Sequence, residues 1–112
     1  MNWISQTTRL AIYLRDNLAC VYCGAALEQG AALSLDHVKP WSKGGSNAPN
    51  NLVTACKFCN TSRGPRALMT WGGADVVRRA RNARRRRLPR QAARQIIRAR
   101  GSLRRALDDL AA

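Results

Sequence analysis

The sequence predicts a small α+β fold in which one helix precedes a cysteine-bearing module and a basic helical extension follows it. Three observations predict this fold. Four cysteines form two CxxC pairs, Cys20 with Cys23 and Cys56 with Cys59, and only short apolar runs lie between the pairs. Positive charge is concentrated in the C-terminal part of the chain. With 112 residues, the chain buries only a modest core, so we expect one compact unit with an appendage.

The spacing of the cysteines predicts a structural zinc ion. Thirty-two residues separate the two pairs, and a tetrahedral site of four thiolates uses all four sulfurs at that spacing. We expect a cytoplasmic protein with no membrane contact. No segment has the roughly 18 apolar residues that span a bilayer, and the N-terminus has no signal-peptide core. In a reducing cytosol, paired cysteines are more often metal ligands than disulfides. Two disulfides in an exported protein, or unrelated buried thiols, are the alternatives.

The charge of the chain predicts a polyanionic partner. The chain has 20 Lys and Arg residues against 6 Asp and Glu, a formal net charge of +14. Residues 1–64 hold six basic and three acidic side chains, whereas residues 65–112 hold fourteen and three. We therefore predict a nearly neutral module at 1–64 and a cationic extension at 65–112.

The module is predicted to contain a helix, two short strands and a second helix. The first helix has Thr7 or Thr8 as its N-cap and an apolar stripe of Leu10, Tyr13, Leu14 and Leu18. The first strand is predicted around Asp36 from Leu33, Leu35 and Val38, and the second from Leu52, Val53 and Thr54. A loop rich in turn residues joins them at 42–51. The second helix opens within KFCNTSRG and ends at Gly64 and Pro65.

The extension is predicted to form two amphipathic helices. The first has an apolar face of Val76, Val77, Ala80 and Ala83, and the second a stripe of Ile96, Ile97, Leu103, Leu107 and Leu110. Pro89 lies near the start of the second helix, and Gly101 is a weak point within it. We expect the arginines to contact duplex phosphates without reading sequence. An RNA-binding arm, a helix for a partner protein and a partly disordered end are the alternatives.

The polar residues between and after the cysteine pairs form a recognisable pattern. It consists of LDHVKPWSKGG between the pairs, Asn51-Leu52 before the second pair, and CNTSRG at its end. Together with LRD at 14–16, this pattern resembles the HNH endonuclease family over residues 9–64. The resemblance implies a zinc-stapled ββα-metal (His-Me finger) module. It also implies a metal-dependent enzyme that nicks or cuts DNA and leaves 5′-phosphate and 3′-hydroxyl ends.

The same residues suit phosphodiester hydrolysis on chemical grounds. His37 is the only histidine in the chain, and an imidazole, which ordinarily titrates near pH 6.5, suits a general base. Asp36 and Asn60 offer two oxygen ligands, a set that favours Mg²⁺ or Mn²⁺ as the catalytic ion. A structural role for His37 and a helix-capping role for Asn60 are the alternatives. The resemblance implies that the Asp36-His37 pair lies on a bent segment and that Asn51, with Asn50 as its rival, orients His37.

The basic residues expected to contact nucleic acid fall into two groups. The module contributes Lys39, Lys43, Lys57 and Arg63, the last at a position where many relatives carry lysine. The extension contributes Arg78, Arg79, Arg81, Arg84, Arg85, Arg86 and Arg87. A chain this short resembles nucleases of phages and mobile elements. We expect its sequence specificity to be low or to be supplied by a partner protein. A non-catalytic zinc-ribbon-like DNA or RNA binder and an RNA-directed nuclease are the rival functions.

Overall fold

Two antiparallel strands and one short helix form the centre of the structure, a computed structural model that describes residues 3–112. Strand β1 (Leu33–His37) pairs with β2 (Leu52–Cys56), so that Leu33 lies opposite Cys56 and His37 opposite Leu52. Helix α2 (Lys57–Arg63) follows β2 directly. This arrangement confirms the predicted α+β fold and the predicted ββα order.

Strand β2 and helix α2 form where the sequence predicted them. All five residues of β2 are buried, because its aliphatic side chains are covered on both faces of the strand. Cys56 is the N-cap of α2, and its Sγ accepts a hydrogen bond from the Cys59 backbone N–H. The helix ends at Gly64, where φ is 56°. Pro65 follows and prevents the helix from continuing.

The first helix, α1 (Gln6–Arg15), has a different cap from the predicted one. Ser5 is the N-cap, since its Oγ accepts a hydrogen bond from the Thr8 backbone N–H at 3.1 Å. The prediction of Thr7 or Thr8 is wrong, because both residues already lie in the first turn. Leu18 lies beyond the helix and has a φ of 55°, so the predicted stripe ends at Leu14.

A buried ion pair fastens the end of α1 to β2. Arg15 Nε donates to Asp16 Oδ1 at 2.9 Å, and Asp16 Oδ2 accepts the Thr54 backbone N–H, also at 2.9 Å. The Arg15 guanidinium reaches further and donates to the Leu52 carbonyl at 2.7 Å. Removing one member of a buried pair typically costs about 3–5 kcal/mol, because the other charge is left without a partner.

The C-terminal part forms three helices rather than the predicted two. They are α3 (Leu68–Arg85, interrupted at Gly73), α4 (Arg90–Arg100) and α5 (Leu103–Ala111). The predicted second helix is divided because Gly101 adopts a φ of 95° and ends α4. Ser102 then caps α5 by accepting the Arg105 backbone N–H. Gly101 is therefore a helix terminus and not a weak point within one helix.

The hydrophobic core consists of two clusters, and each contains residues from both sides of Gly64. In the first, α3 covers the sheet and the cysteines through Leu68, Val76, Ala80 and Ala83. In the second, α4 and α5 pack on α1, where Leu10 and Ala11 meet Ala93 and Ala106. Burying a leucine or isoleucine contributes roughly 1.5–3 kcal/mol. The arginine-rich helices therefore also supply part of the core.

Within the described residues, none of the helices combines the length and the hydrophobicity needed to cross a membrane.

Candidate functional site

The four cysteines lie together in a geometry that fits one tetrahedral ion. Their Sγ atoms all lie within 4.8 Å of one another, and Cys23 Sγ lies 3.7 Å from Cys56 Sγ. With Zn–S bonds of about 2.3 Å, a tetrahedral site separates its sulfurs by about 3.8 Å. The chemistry of the donors also fits, since four thiolates select zinc over a hard cation such as Mg²⁺. These cysteines would hold a closed, structural zinc site.

The pKa shifts of the cysteine thiols indicate that four thiolates at this site need a bound cation. Burial raises the pKa of Cys20 and, more strongly, that of Cys59, where the neighbouring thiol groups add to the effect. Burial opposes ionisation of Cys56 as well, but hydrogen bonds from Cys59 and the other cysteines lower its pKa overall. Four thiolates at these distances repel one another unless a positive ion lies between them. A bound Zn²⁺ supplies that charge.

The Asp36 carboxylate is held at one of its two oxygens. Oδ2 accepts hydrogen bonds from Tyr22 Oη at 2.5 Å and from Arg63 Nη1 at 2.7 Å. Burial, and next the charge of Asp36, raise the pKa of Tyr22, so its hydroxyl remains a donor. Among the described residues, Asp36 Oδ1 accepts no hydrogen bond, and the side chain is 9% exposed. One carboxylate oxygen is therefore fixed by protein groups and the other is available to a ligand.

The structure places Arg63 in the interior, although a phosphate contact would require it at the surface. Only 1% of the residue is exposed. Besides Asp36, its guanidinium donates to the carbonyls of His37, Val38 and Arg66 at 2.7–2.8 Å. Burial and these contacts use the donors that a phosphate would need. The expectation of a direct phosphate contact is thus corrected: Arg63 organises the end of β1 from within.

The Asp36 and His37 side chains leave β1 on opposite sides. The pairing with β2 runs through His37 without a bulge, and Asp36 is buried while His37 is half-buried. Alternation along a paired strand places successive side chains on opposite faces. The bend expected from the family resemblance is therefore absent within this pair. The strand ends at His37, and the N–H of the next residue, Val38, still donates to the Asn51 carbonyl.

The His37 imidazole contacts two residues of the loop at 38–51. Its Nε2 lies 2.7 Å from Asn47 Oδ1, and its ring meets the Trp41 ring edge-on, with centroids 5.9 Å apart. Among the described residues, Nδ1 has no hydrogen-bond partner. Neither Asn47 nor Trp41 was singled out by the sequence, because an asparagine or a tryptophan in a loop carries no distinctive spacing.

Asn51 holds the loop rather than the imidazole. Its Oδ1 accepts the Lys39 backbone N–H at 2.8 Å, and its Nδ2 donates to the carbonyls of Lys39 and Ser46. The structure thus brings Asn51 close to the segment that follows His37 but not into a hydrogen bond with the imidazole. The side chain of the rival residue, Asn50, is exposed.

Asn60 lies above β1 with its amide group anchored at one end. Its Nδ2 donates to Ser34 Oγ at 2.9 Å and to the Leu35 carbonyl at 3.1 Å. Among the described residues, its Oδ1 accepts no hydrogen bond. Asn60 is the fourth residue of α2, while Cys56 is the cap. The helix-capping alternative is therefore wrong, and the amide oxygen is left for a ligand.

Several arginines of the extension are bound to the module. Arg79 donates to the Tyr22 carbonyl, Arg84 to the Asn50 carbonyl, and Arg86 to the Arg15 carbonyl and to Asp16. Arg78 pairs with Asp75 at the surface. Of the basic residues predicted to contact nucleic acid, six are exposed and have no side-chain hydrogen bond or ion pair among the described residues: Lys39, Lys43, Lys57, Arg81, Arg85 and Arg87.

Three of the predicted basic residues surround one groove. Lys39, Lys43 and Arg84 line it, and its floor includes Val38 and Leu68. The groove has a volume of about 300 Å³. The structure therefore brings a basic rim close to the segment that carries His37, while Lys57 lies in a different depression with Arg104.

Comparisons with known proteins find similarity to nucleases in both sequence and fold. Residues 20–66 match the family model described as HNH endonuclease. The CRISPR-associated endonuclease Cas9 of Corynebacterium diphtheriae is 34% identical over 58 residues, which are 51% of this chain and 5% of that protein. The crystal structure of the Type II-C Cas9 enzyme from Actinomyces naeslundii matches 99% of this chain with a TM-score of 0.57 and 25% identity. Since that match covers 12% of the enzyme, the chain spans a small part of both relatives.

Removal of zinc is expected to unfold the module, because binding energy at such a site is also folding energy. The purified protein should contain one zinc per chain. Stripping it with a strong chelator, or replacing Cys59 by serine, should abolish the cooperative thermal transition measured by circular dichroism. A Ser42→Ala variant, altered at an exposed loop residue, should melt as the parent does. An unchanged melting curve after complete zinc removal would contradict the assignment.

Proposed function

We propose that this chain, whose residues 20–66 match the HNH endonuclease family model, hydrolyses phosphodiester bonds in DNA with the help of a divalent ion. One observation supports this most directly. His37 and Asp36 are adjacent at the end of a strand, and His37 Nδ1 and Asp36 Oδ1 have no hydrogen-bond partner among the described residues. A buried arginine and a hydrogen-bonded loop hold the two residues there. Nicking and double-strand cutting both fit this arrangement.

His37 acts as the general base in this proposal. Its Nε2 is occupied by Asn47, and Nδ1 remains to take a proton from the attacking water. As the only histidine in the chain, it has no competitor for this role. Asn51 contributes indirectly, because its three hydrogen bonds fix the loop that contacts the imidazole.

Asp36 and Asn60 are the proposed ligands of the catalytic ion. Each is anchored by one polar atom and has an oxygen without a hydrogen-bond partner among the described residues. Two oxygen donors suit Mg²⁺ or Mn²⁺, which keep further positions for water and phosphate. A divalent ion bound there would supply positive charge that stabilises the five-coordinate transition state and the leaving 3′-oxygen.

The separation of Asp36 and His37 on β1 suits in-line displacement. In such a reaction the attacking and leaving oxygens lie on opposite sides of phosphorus. A phosphodiester at the end of β1 would have His37 on the side of the attacking water and Asp36 on the side of the leaving oxygen. The strand alternation therefore separates two roles that the chemistry also separates.

We propose that DNA lies against the basic residues near this site. Lys39, Lys43 and Arg84 surround the groove beside the His37 segment, and Arg81, Arg85 and Arg87 extend the positive surface along and beyond α3. Such contacts give affinity without sequence preference. We expect other domains or a partner protein to supply specificity.

The zinc-loaded His37→Ala variant should nick supercoiled plasmid very slowly in the presence of Mg²⁺ or Mn²⁺. We expect its rate to fall by about 100- to 10,000-fold, because no other group takes the proton. Gel analysis of nicked and linear forms measures this. Zinc content and melting of the variant should match the parent, since the imidazole is only half-buried.

The same assay separates the proposed function from its rivals. A parent protein that binds plasmid but never nicks it would identify a non-catalytic DNA-binding module. Faster cleavage of single-stranded RNA than of duplex DNA, in a direct competition, would identify an RNA-directed nuclease. Nicking by His37→Ala at the parental rate would show that the chemistry lies elsewhere.

Changing Arg81, Arg85 and Arg87 together to glutamine should weaken duplex binding and flatten its dependence on salt. Each lost phosphate contact lowers the slope of log K against log salt by about 0.9. Fluorescence anisotropy at several salt concentrations measures this slope. The matched control changes Arg94, Arg98 and Arg104, three other exposed arginines, to glutamine. Equal effects of both triple variants would show that net charge alone attracts DNA.

A further inference from the structure

The His37 imidazole has a single polar contact among the described residues, and the chemistry of that contact determines which ring nitrogen carries a proton. Asn47 Oδ1 lies 2.7 Å from Nε2. An amide oxygen only accepts hydrogen bonds, so Nε2 must be the donor. In a neutral imidazole the other nitrogen, Nδ1, then carries the lone pair. The contact therefore selects one tautomer and one basic atom.

Asn47 is held in place by a loop that has little freedom. On one side, the Ser46 carbonyl oxygen accepts a hydrogen bond from Asn51 Nδ2, and on the other side the Ala48 N–H donates to Ser46 Oγ. Gly45 is buried, and a Cβ there would lie 1.8 Å from the Lys39 carbonyl oxygen. Only glycine allows the two backbone segments to approach this closely.

Trp41 limits the orientation of the imidazole further. Its ring meets that of His37 at 60°, with centroids 5.9 Å apart, an edge-on arrangement that aromatic rings favour. The tryptophan contributes packing and no charge. Asn47 is then the one side chain among the described residues that distinguishes the two nitrogens of His37.

We propose that Asn47 is a positioning residue that fixes His37 in the Nε2-protonated tautomer and so makes Nδ1 the general base. The inference rests on the proposed function for its catalytic meaning, but the tautomer itself is a property of the folded chain. Asn47 acts through His37 and touches neither substrate nor metal in this role. Loss of a group that orients a catalytic or metal-bound histidine commonly costs about 10- to 100-fold in function.

Because His37 is the only histidine, one NMR experiment reports on it without overlap. The zinc-loaded full chain, labelled with ¹⁵N-histidine, is examined by long-range ¹H–¹⁵N correlation at about pH 8.5. We expect one Nε2-bound proton that exchanges slowly with water, and an unprotonated Nδ1. Asn47→Ala should lose this protected proton and nick plasmid about 10- to 100-fold more slowly.

Asn50→Ala is the matched control, since Asn50 is an exposed asparagine of the same loop. It should keep both the protected proton and the parental rate. A proton on Nδ1 in the parent would overturn the inference. So would an Asn47→Ala variant that keeps the protected Nε2 proton or that nicks DNA at the parental rate. A parent that shows the expected tautomer but never nicks DNA would instead overturn the proposed function and leave the contact standing.

Discussion

The Arg63 guanidinium is the interaction on which the candidate site depends. From helix α2 it reaches Asp36 Oδ2 and the carbonyls of His37 and Val38, so it fixes both the carboxylate and the backbone at the end of β1. Its five N–H donors, in a planar fork, allow one buried side chain to make all these contacts. Without it, the Asp36 carboxylate would be left charged in the interior without its ionic partner, a situation that costs about 3–5 kcal/mol.

Residues next to the cysteines connect the zinc site to the same carboxylate. Tyr22, between Cys20 and Cys23, donates to Asp36 Oδ2, while Asn60 follows Cys59 and is tied to β1 through Ser34 and Leu35. An ion among the four sulfurs would therefore set the positions of the groups around Asp36. Trp71 of α3 packs against the Tyr22 ring, with centroids 5.2 Å apart, so the C-terminal helices also contribute to this arrangement.

The sequence predicted those features that depend on local spacing and chemistry. The two CxxC pairs indicated that the sulfurs would converge, the apolar runs at 33–38 and 52–54 indicated the strands, and Gly64-Pro65 indicated the end of α2. It did not predict contacts between segments far apart in the chain. Arg63 and Arg86 bind carbonyls and carboxylates of the module, whereas Arg81 and Arg85 remain at the surface. The lysine and arginine composition alone cannot distinguish these two kinds of arginine. The contact between Asn47 and His37 likewise depends on the path of a loop whose turns do not identify which asparagine meets the ring.

The central claim is that Arg63 occupies one oxygen of Asp36 and leaves the other for a catalytic ion. Anomalous diffraction from crystals of the zinc-loaded protein grown with Mn²⁺ tests this most directly. We expect a zinc peak among the four sulfurs and a manganese peak at Asp36 Oδ1 and Asn60 Oδ1, with Arg63 still bound to Asp36 Oδ2. Manganese bound elsewhere, or bound to both Asp36 oxygens with Arg63 displaced, would contradict the account.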